Sequence, residues 1–226
     1  MLELYIGNKN YSSWSLRPWL LLTELGIGFE ERRLRLAWEA DSPFKRTLLA
    51  LAPTGRVPLL VDDGFPVWDS LAIVEYIAER FPDRSVWPSA PRARARARCL
   101  CAEMYTGFGA LRERFPMNIE ASLPEIGARL PLQVLALAAD LARIEAMWSE
   151  QLDASGGPFL FGTFSAADAF YAPVCSRLRT YAPAVSATTR GYVERVHALA
   201  SMRAWCEAAR AEHDFVVEDE PYRSRA

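Results

Sequence analysis

The chain has 226 residues, 51% of them hydrophobic, and a formal net charge of −2 at neutral pH. That is enough apolar material for one large or two small packed domains and excludes global disorder. The near-neutral balance gives no whole-molecule attraction to nucleic acid or an anionic membrane. No apolar run reaches the ~20 residues that span a bilayer, and the opening MLELYIGNKN lacks the basic and long apolar regions of a signal peptide. The four cysteines, Cys99, Cys101, Cys175 and Cys206, include no C-x-x-C pair, and His197 and His213 are the only histidines. No metal site is therefore expected, and reduced thiols in a cytoplasmic protein fit best.

In chain order, LELYI (2–6) reads as a buried strand. Leu16, Trp19, Leu20 and Leu22 then fall at helical spacing over 16–25, and Gly26 and Gly28 end that helix. FEERRLRL (29–36) predicts a second strand, and 41–51 a short helix or irregular turn. VPLLV (57–61) and FPVW (65–68) predict a hairpin about Asp62-Asp63-Gly64, followed by an amphipathic helix over 70–80. This order builds a small mixed sheet flanked by helices in residues 1–82. The proline-rich 83–91 reads as a linker. Residues 92–226 carry no strand pattern. Long helices are expected over 92–115, 130–152 and 190–211, and a further one opens on Ser165 and Asp168 at capping-box spacing.

Four stretches stand out: YSSWSLR, PTGRVPLLVDDG, VWDSLAIVEYIAERFP and FGTFSAADA. In this order and spacing they resemble the glutathione transferase family over nearly the whole chain, nearest to bacterial-type, serine-loop members of the zeta- and theta-like classes. The resemblance implies an α/β thioredoxin-like N-terminal domain followed by an all-α C-terminal domain. It also implies a cytoplasmic glutathione S-transferase that uses glutathione as co-substrate and works as a homodimer.

The residues at these stretches suit that chemistry. Asp69-Ser70 opens a helix, where free N–H groups and the dipole favour an anion. Ser70 adds a hydroxyl donor for a carboxylate, and Asp69 can accept from a neighbouring ammonium, the pair of groups at the γ-glutamyl end of glutathione. A proline at a strand start removes a ladder donor. By resemblance the Val57–Pro58 bond is cis, which turns the Val57 backbone toward a peptide ligand, and Arg56 stands near the glycyl end. Thioredoxin-like folds place reactive cysteines in the turn after the first strand; here that frame reads Ser12-Ser13-Trp14-Ser15. Without a thiol there is no disulfide exchange at this turn, but a hydroxyl can donate to a ligand thiolate and lower its pKa. Ser12 occupies the first cysteine position and is preferred as activator over Ser13, with Ser15 as a helix cap. Tyr5 and Tyr11 are the remaining hydroxyl candidates.

Zeta-type proteins that isomerise maleylacetoacetate have a cysteine after the serine pair, where this chain has Trp14. That favours conjugation of a small apolar electrophile over glutathione-dependent cis–trans isomerisation, with a non-catalytic binding module as a third reading. Core packing is the default for Tyr105 and Phe108 at their helical spacing; by resemblance they are also candidates, with Trp14, for the electrophile wall. RARARAR (92–98) spreads its arginines around a helix instead of forming one stripe, and reads as a solvated face and not a nucleic-acid patch.

Overall fold

In the computed structural model, which describes residues 1–223, β1 (Leu2–Ile6) runs parallel to β2 (Glu30–Arg33) and antiparallel to β3 (Leu59–Asp62). β4 (Phe65–Trp68) pairs antiparallel with β3, giving a four-stranded mixed sheet in the order β2-β1-β3-β4. The hairpin between β3 and β4 turns on Asp63 and Gly64, at φ of 47° and 86°. Positive φ at both central residues matches the twist of the flanking strands. β2 is shorter than the predicted 29–36 because it is an edge strand with every residue exposed; the Arg32 guanidinium ties it to Glu3, 3.0 Å away.

Alternation along β3 feeds two cores. Leu60 joins Leu4 and Ile6 beneath α1 (Ser13–Glu24) and α3 (Ser70–Arg80). Leu59 and Val61 face the other way, onto Phe44 and Leu48 of α2 (Pro43–Leu49). The ambiguous 41–51 stretch therefore contains a helix, with Ser42 Oγ accepting from the Lys45 N–H at 3.2 Å.

The second domain is all-helical: α4 (Pro91–Thr106), α5 (Gly109–Arg114), α6 (Pro124–Gln133), α7 (Leu135–Ser155), α8 (Ala166–Tyr181), α9 (Ala187–Ala198) and α10 (Ala200–Ala211). Each of the three long helices expected from the sequence is divided. The first breaks at Gly107, which is extended, and Phe108, which is left-handed at φ 54°. The second begins later than predicted: Leu130 belongs to α6, which ends two residues after Pro131, and Val134 is extended. A proline there removes a backbone donor and crowds the preceding turn. The third breaks at Leu199, also non-helical. Apolar periodicity continues through these breaks because both segments bury the same side, so the pattern alone does not show them.

α8 is the central column, buried along almost its whole length and packed against α1, α4, α6 and α9. At its start the Asp168 carboxylate accepts from Ser165 N, Ser165 Oγ, Leu160 N and Tyr192 Oη, at 2.8–3.1 Å. One apolar cluster joins Leu20 of the first domain through Phe170 to Trp205, and Trp205 Nε1 donates to the Lys9 carbonyl at 3.0 Å. The domains thus share a core, and this fixes the cleft between α1 and the helices facing it. On α4, Arg98 makes paired bonds to Glu75 at 2.7 and 3.0 Å, and Arg94 holds the Ser89 carbonyl at 2.9 Å. Two of the four arginines of RARARAR are therefore tied to the protein itself.

Candidate functional site

Two adjoining cavities open where the sheet domain meets the helices. One, of about 500 Å³, is lined by Trp14, Thr54, Arg56, Val57, Pro58, Trp68, Asp69, Ser70 and Tyr105. The other, of about 470 Å³, holds Ser12 and Ser13 with Trp38, Lys45, Arg112, Met117, Arg177 and Asp219. Trp14, Arg56 and Val57 line both.

The first cavity gathers the residues expected to hold glutathione. Asp69 is the N-cap of α3 at φ 78°, and its Oδ1 accepts from the Leu71 N–H at 2.8 Å. Its Oδ2 accepts from Tyr105 Oη at 2.5 Å. Tyr105, a candidate for the electrophile wall beside a default of core packing, therefore braces the carboxylate from the helical domain; the Asp69 bond and burial raise its own pKa. Ser70, 1% exposed, has a buried hydroxyl with no partner among the described residues. Buried hydroxyls are normally satisfied; this one lines the first cavity with its bond unmade. The Val57–Pro58 bond is cis.

In the second cavity Ser12 Oγ donates to Ser15 Oγ at 2.7 Å, and Ser15 Oγ accepts from the Gly7 N–H at 3.1 Å. Ser15 is thus not the helix cap expected from the sequence: α1 starts at Ser13 with Ser12 in the N-cap position, and neither hydroxyl closes the first turn. Ser15 instead ties the end of β1 to α1. A Cβ on Gly7 would come within 2.6 Å of the end of the Leu36 side chain, which would have to shift to admit it. Ser13, 7% exposed, lines the same cavity, and its hydroxyl makes no hydrogen bond among the described residues.

Tyr11 also lines this cavity, but its hydroxyl donates to Glu220 at 2.6 Å. Burial and that bond push its pKa up to about 12, so it stays a neutral phenol turned toward the C-terminal segment. Tyr5 lines neither cavity. Phe108, for which core packing is the default reading and the electrophile wall the alternative, also lines neither; it is packed in the core at the left-handed break between α4 and α5. Trp14 stands between the cavities, edge-on to Tyr105 at 5.4 Å. The guanidinium of Arg17 lies 4.1 Å from the Trp14 ring and 4.9 Å from that of Phe170. Arg17 is 1% exposed, and burial, with Arg177 next, lowers its pKa to about 9.

Arg112, Arg177 and Asp219 were not singled out from the sequence. They come from α5, α8 and the C-terminal turn, and no spacing in the chain brings them together. Burial pushes Asp219 up to about 6, with Glu218 adding to it.

A family model for the glutathione S-transferase N-terminal domain matches residues 11–80, and one for the C-terminal domain of the same family matches residues 110–208. Maleylacetoacetate isomerase of Pseudomonas aeruginosa is 35% identical over 102 residues, 45% of this chain. The match spans 47% of that protein, about half the length of the curated relative. Among solved structures, a glutathione transferase homolog from Burkholderia gl BGR1, with bound glutathione, is 26% identical with a TM-score of 0.68, covering 93% of this chain and 98% of that one. A glutathione transferase from Methylococcus capsulatus strain Bath is 25% identical at the same TM-score, covering 93% and 100%. With both domain models matched in order and the sheet and helical domains in the corresponding halves, the chain belongs to the glutathione S-transferase family.

Proposed function

We propose that the protein binds glutathione across the two cavities and activates its thiol for attack on a small electrophile. The observation that carries this reading is the buried, unpartnered Ser70 hydroxyl at the start of α3, beside the Asp69 carboxylate braced by Tyr105. The γ-glutamyl carboxylate takes the Ser70 hydroxyl and the free N–H groups of the helix, and its ammonium takes Asp69. The backbone of Val57 pairs with the cysteinyl residue, and Arg56 faces the glycyl carboxylate. The thiol then points to the serine turn. There a hydroxyl and the positive end of α1 stabilise the thiolate. A fall of about two units in the thiol pKa corresponds to roughly 2.7 kcal/mol and makes most of the bound thiol nucleophilic at neutral pH.

The structure bears on which serine acts. Ser12 Oγ and the Gly7 N–H both donate to Ser15 Oγ, which keeps its own proton and can donate it back to Ser12 when the Ser12 hydroxyl swings to the ligand. Ser12 remains the preferred thiol partner once its rotor turns to the ligand, with Ser13 the alternative. Calorimetric titration with glutathione tests the binding. Conjugation of a halonitroarene, followed by absorbance, tests the chemistry. Absence of glutathione binding sinks the whole reading, and binding without turnover leaves a non-catalytic module.

Glutathione-dependent cis–trans isomerisation is the second reading, supported by the similarity to maleylacetoacetate isomerase. Trp14 fills the position that carries cysteine in that class, and an isomerase assay run beside the conjugation assay separates the two. A two-fold homodimer belongs to the same proposal: β4 exposes Phe65 (60%) and Trp68 (40%), surface that a partner subunit can cover. Light scattering at micromolar concentration tests it, and a monomeric mass counts against it.

A further inference from the structure

The chamber beside the serine turn carries more positive charge than an apolar electrophile needs. Arg177, on α8, is 4% exposed. Its Nε donates to the Phe115 carbonyl at 2.8 Å, while its Nη1 is buried without a partner among the described residues. Arg112, on α5, donates through Nη1 to the carbonyls of Met104 and Tyr105 at 3.3 and 3.1 Å. Neither guanidinium has an ion-pair partner within 4.0 Å among the described residues. Both line the cavity that holds Ser12 and Ser13. The one carboxylate lining that cavity among the described residues is Asp219; burial raises it to about 6, so at neutral pH it stays largely ionised and offsets one of the two positive charges. Arg177, lowered to about 10, remains charged at neutral pH.

An under-compensated buried charge is costly, and here the buried Arg177 and the half-buried Arg112 face a single carboxylate at one wall of the cavity, with a donor of Arg177 unused. An apolar occupant leaves that cost in place. An anion removes it and gains charge-assisted bonds from Nη1 of Arg177 and the free edge of Arg112. We infer that the second substrate is not wholly apolar but carries a carboxylate, which seats on Arg177 and Arg112 while its electrophilic carbon faces the thiolate at the serine turn. This rests on the glutathione transferase reading of the site.

The test uses 4-chloro-3-nitrobenzoate and the matching neutral amide, 4-chloro-3-nitrobenzamide. In both, the glutathione sulfur bonds to the chlorine-bearing carbon, chloride leaves with its bonding pair, and the thiol proton passes to water. With the intact protein the acid should exceed the amide in kcat/KM by roughly tenfold or more, after each is corrected for its uncatalysed rate. In Arg112→Gln and Arg177→Gln that ratio should fall toward one. Arg177 also holds the Phe115 carbonyl, so if its variant does not fold, Arg112→Gln and the wild-type ratio decide. Equal turnover of acid and amide overturns the inference and leaves the transferase reading intact. So does an acid preference kept in Arg112→Gln, or weakened glutathione affinity in that variant with the ratio unchanged, which would assign the arginine to the tripeptide.

Calorimetry of 3-nitrobenzoate and 3-nitrobenzamide on glutathione-free protein tests the arginine seat by itself. Binding of the acid alone supports the seat even where glutathione fails to bind, in which case only the transferase reading falls. Equal or absent binding of both, with no acid preference in turnover, overturns the seat.

Discussion

Replacing Ser15 by alanine tests how the serine turn is built. The Ser15 hydroxyl is fully buried; it accepts from the Gly7 N–H at 3.1 Å and from Ser12 Oγ at 2.7 Å. Alanine removes that acceptor and strands a buried backbone donor between β1 and α1. Leaving such a donor unsatisfied costs about 1–3 kcal/mol, which for a chain of this size lowers Tm by roughly 2–12 °C. Ser12→Ala removes only a donor and leaves the Gly7 bond in place, so it should cost less, about 0.5–1.5 kcal/mol.

Denaturant titration of both variants gives the ranking, and the Gly7 amide proton resonance reports the bond directly: it should move in Ser15→Ala and stay in Ser12→Ala. Should Ser12→Ala cost more than Ser15→Ala while the Gly7 resonance is unmoved in both, the hydroxyls act as helix caps and the tie between strand and helix is wrong. If Ser12 activates the thiol through this chain, Ser15→Ala should also raise the pKa of bound glutathione, read from thiolate absorbance against pH. A shift confined to Ser13→Ala would move the activating role to Ser13.

Ser70→Ala should weaken glutathione binding by roughly ten- to a hundredfold, the loss of one bond to a charged group. It should leave the stability of the free protein unchanged or slightly higher, because the lost hydroxyl has no partner there; calorimetry and thermal melting read the two effects separately. Tyr105→Phe frees Asp69 Oδ2 and should weaken glutathione binding, with a smaller loss for a ligand lacking the α-ammonium. Gly127→Ala should be severely destabilising in a melt, since a Cβ there would overlap the Tyr181 carbonyl. His197 is held neutral by burial, with Arg179 adding to it, at a pKa of about 4. The unfolded chain takes up a proton near pH 6.5 and the folded one does not, so stability falls with acidification through the window from 6.5 to 4. His197→Gln should remove about 2 kcal/mol of the loss between pH 7 and pH 5, and parallel pH profiles for the two proteins would refute this.

Sequence by itself determined the parts that local chemistry specifies. The hairpin follows from Asp63-Gly64, which accept positive φ, and α8 from an acid three residues after Ser165. The proposed glutathione cradle draws on local chemistry for the same reason: Val57, Pro58, Asp69 and Ser70 stand in two short segments whose motifs fix the backbone around them. Tertiary structure decided the rest. The breaks at Phe108, Val134 and Leu199 preserve the apolar face on both sides, so periodicity runs through them unmarked. Phe108 and Tyr105 share a helical face in sequence, yet the left-handed break sends the first into the core and leaves the second on Asp69. Ser15 reads as a cap until the end of β1 is placed beside it and the Gly7 N–H takes its oxygen. Arg112 and Arg177 lie on separate helices, and each alone is an ordinary charged residue. Only the packing of α5 and α8 around the cavity buries Arg177, half-buries Arg112 and leaves an unused donor of Arg177 in the cavity of the serine turn. Desolvation gives those arginines their meaning, and desolvation is a property of the assembled fold.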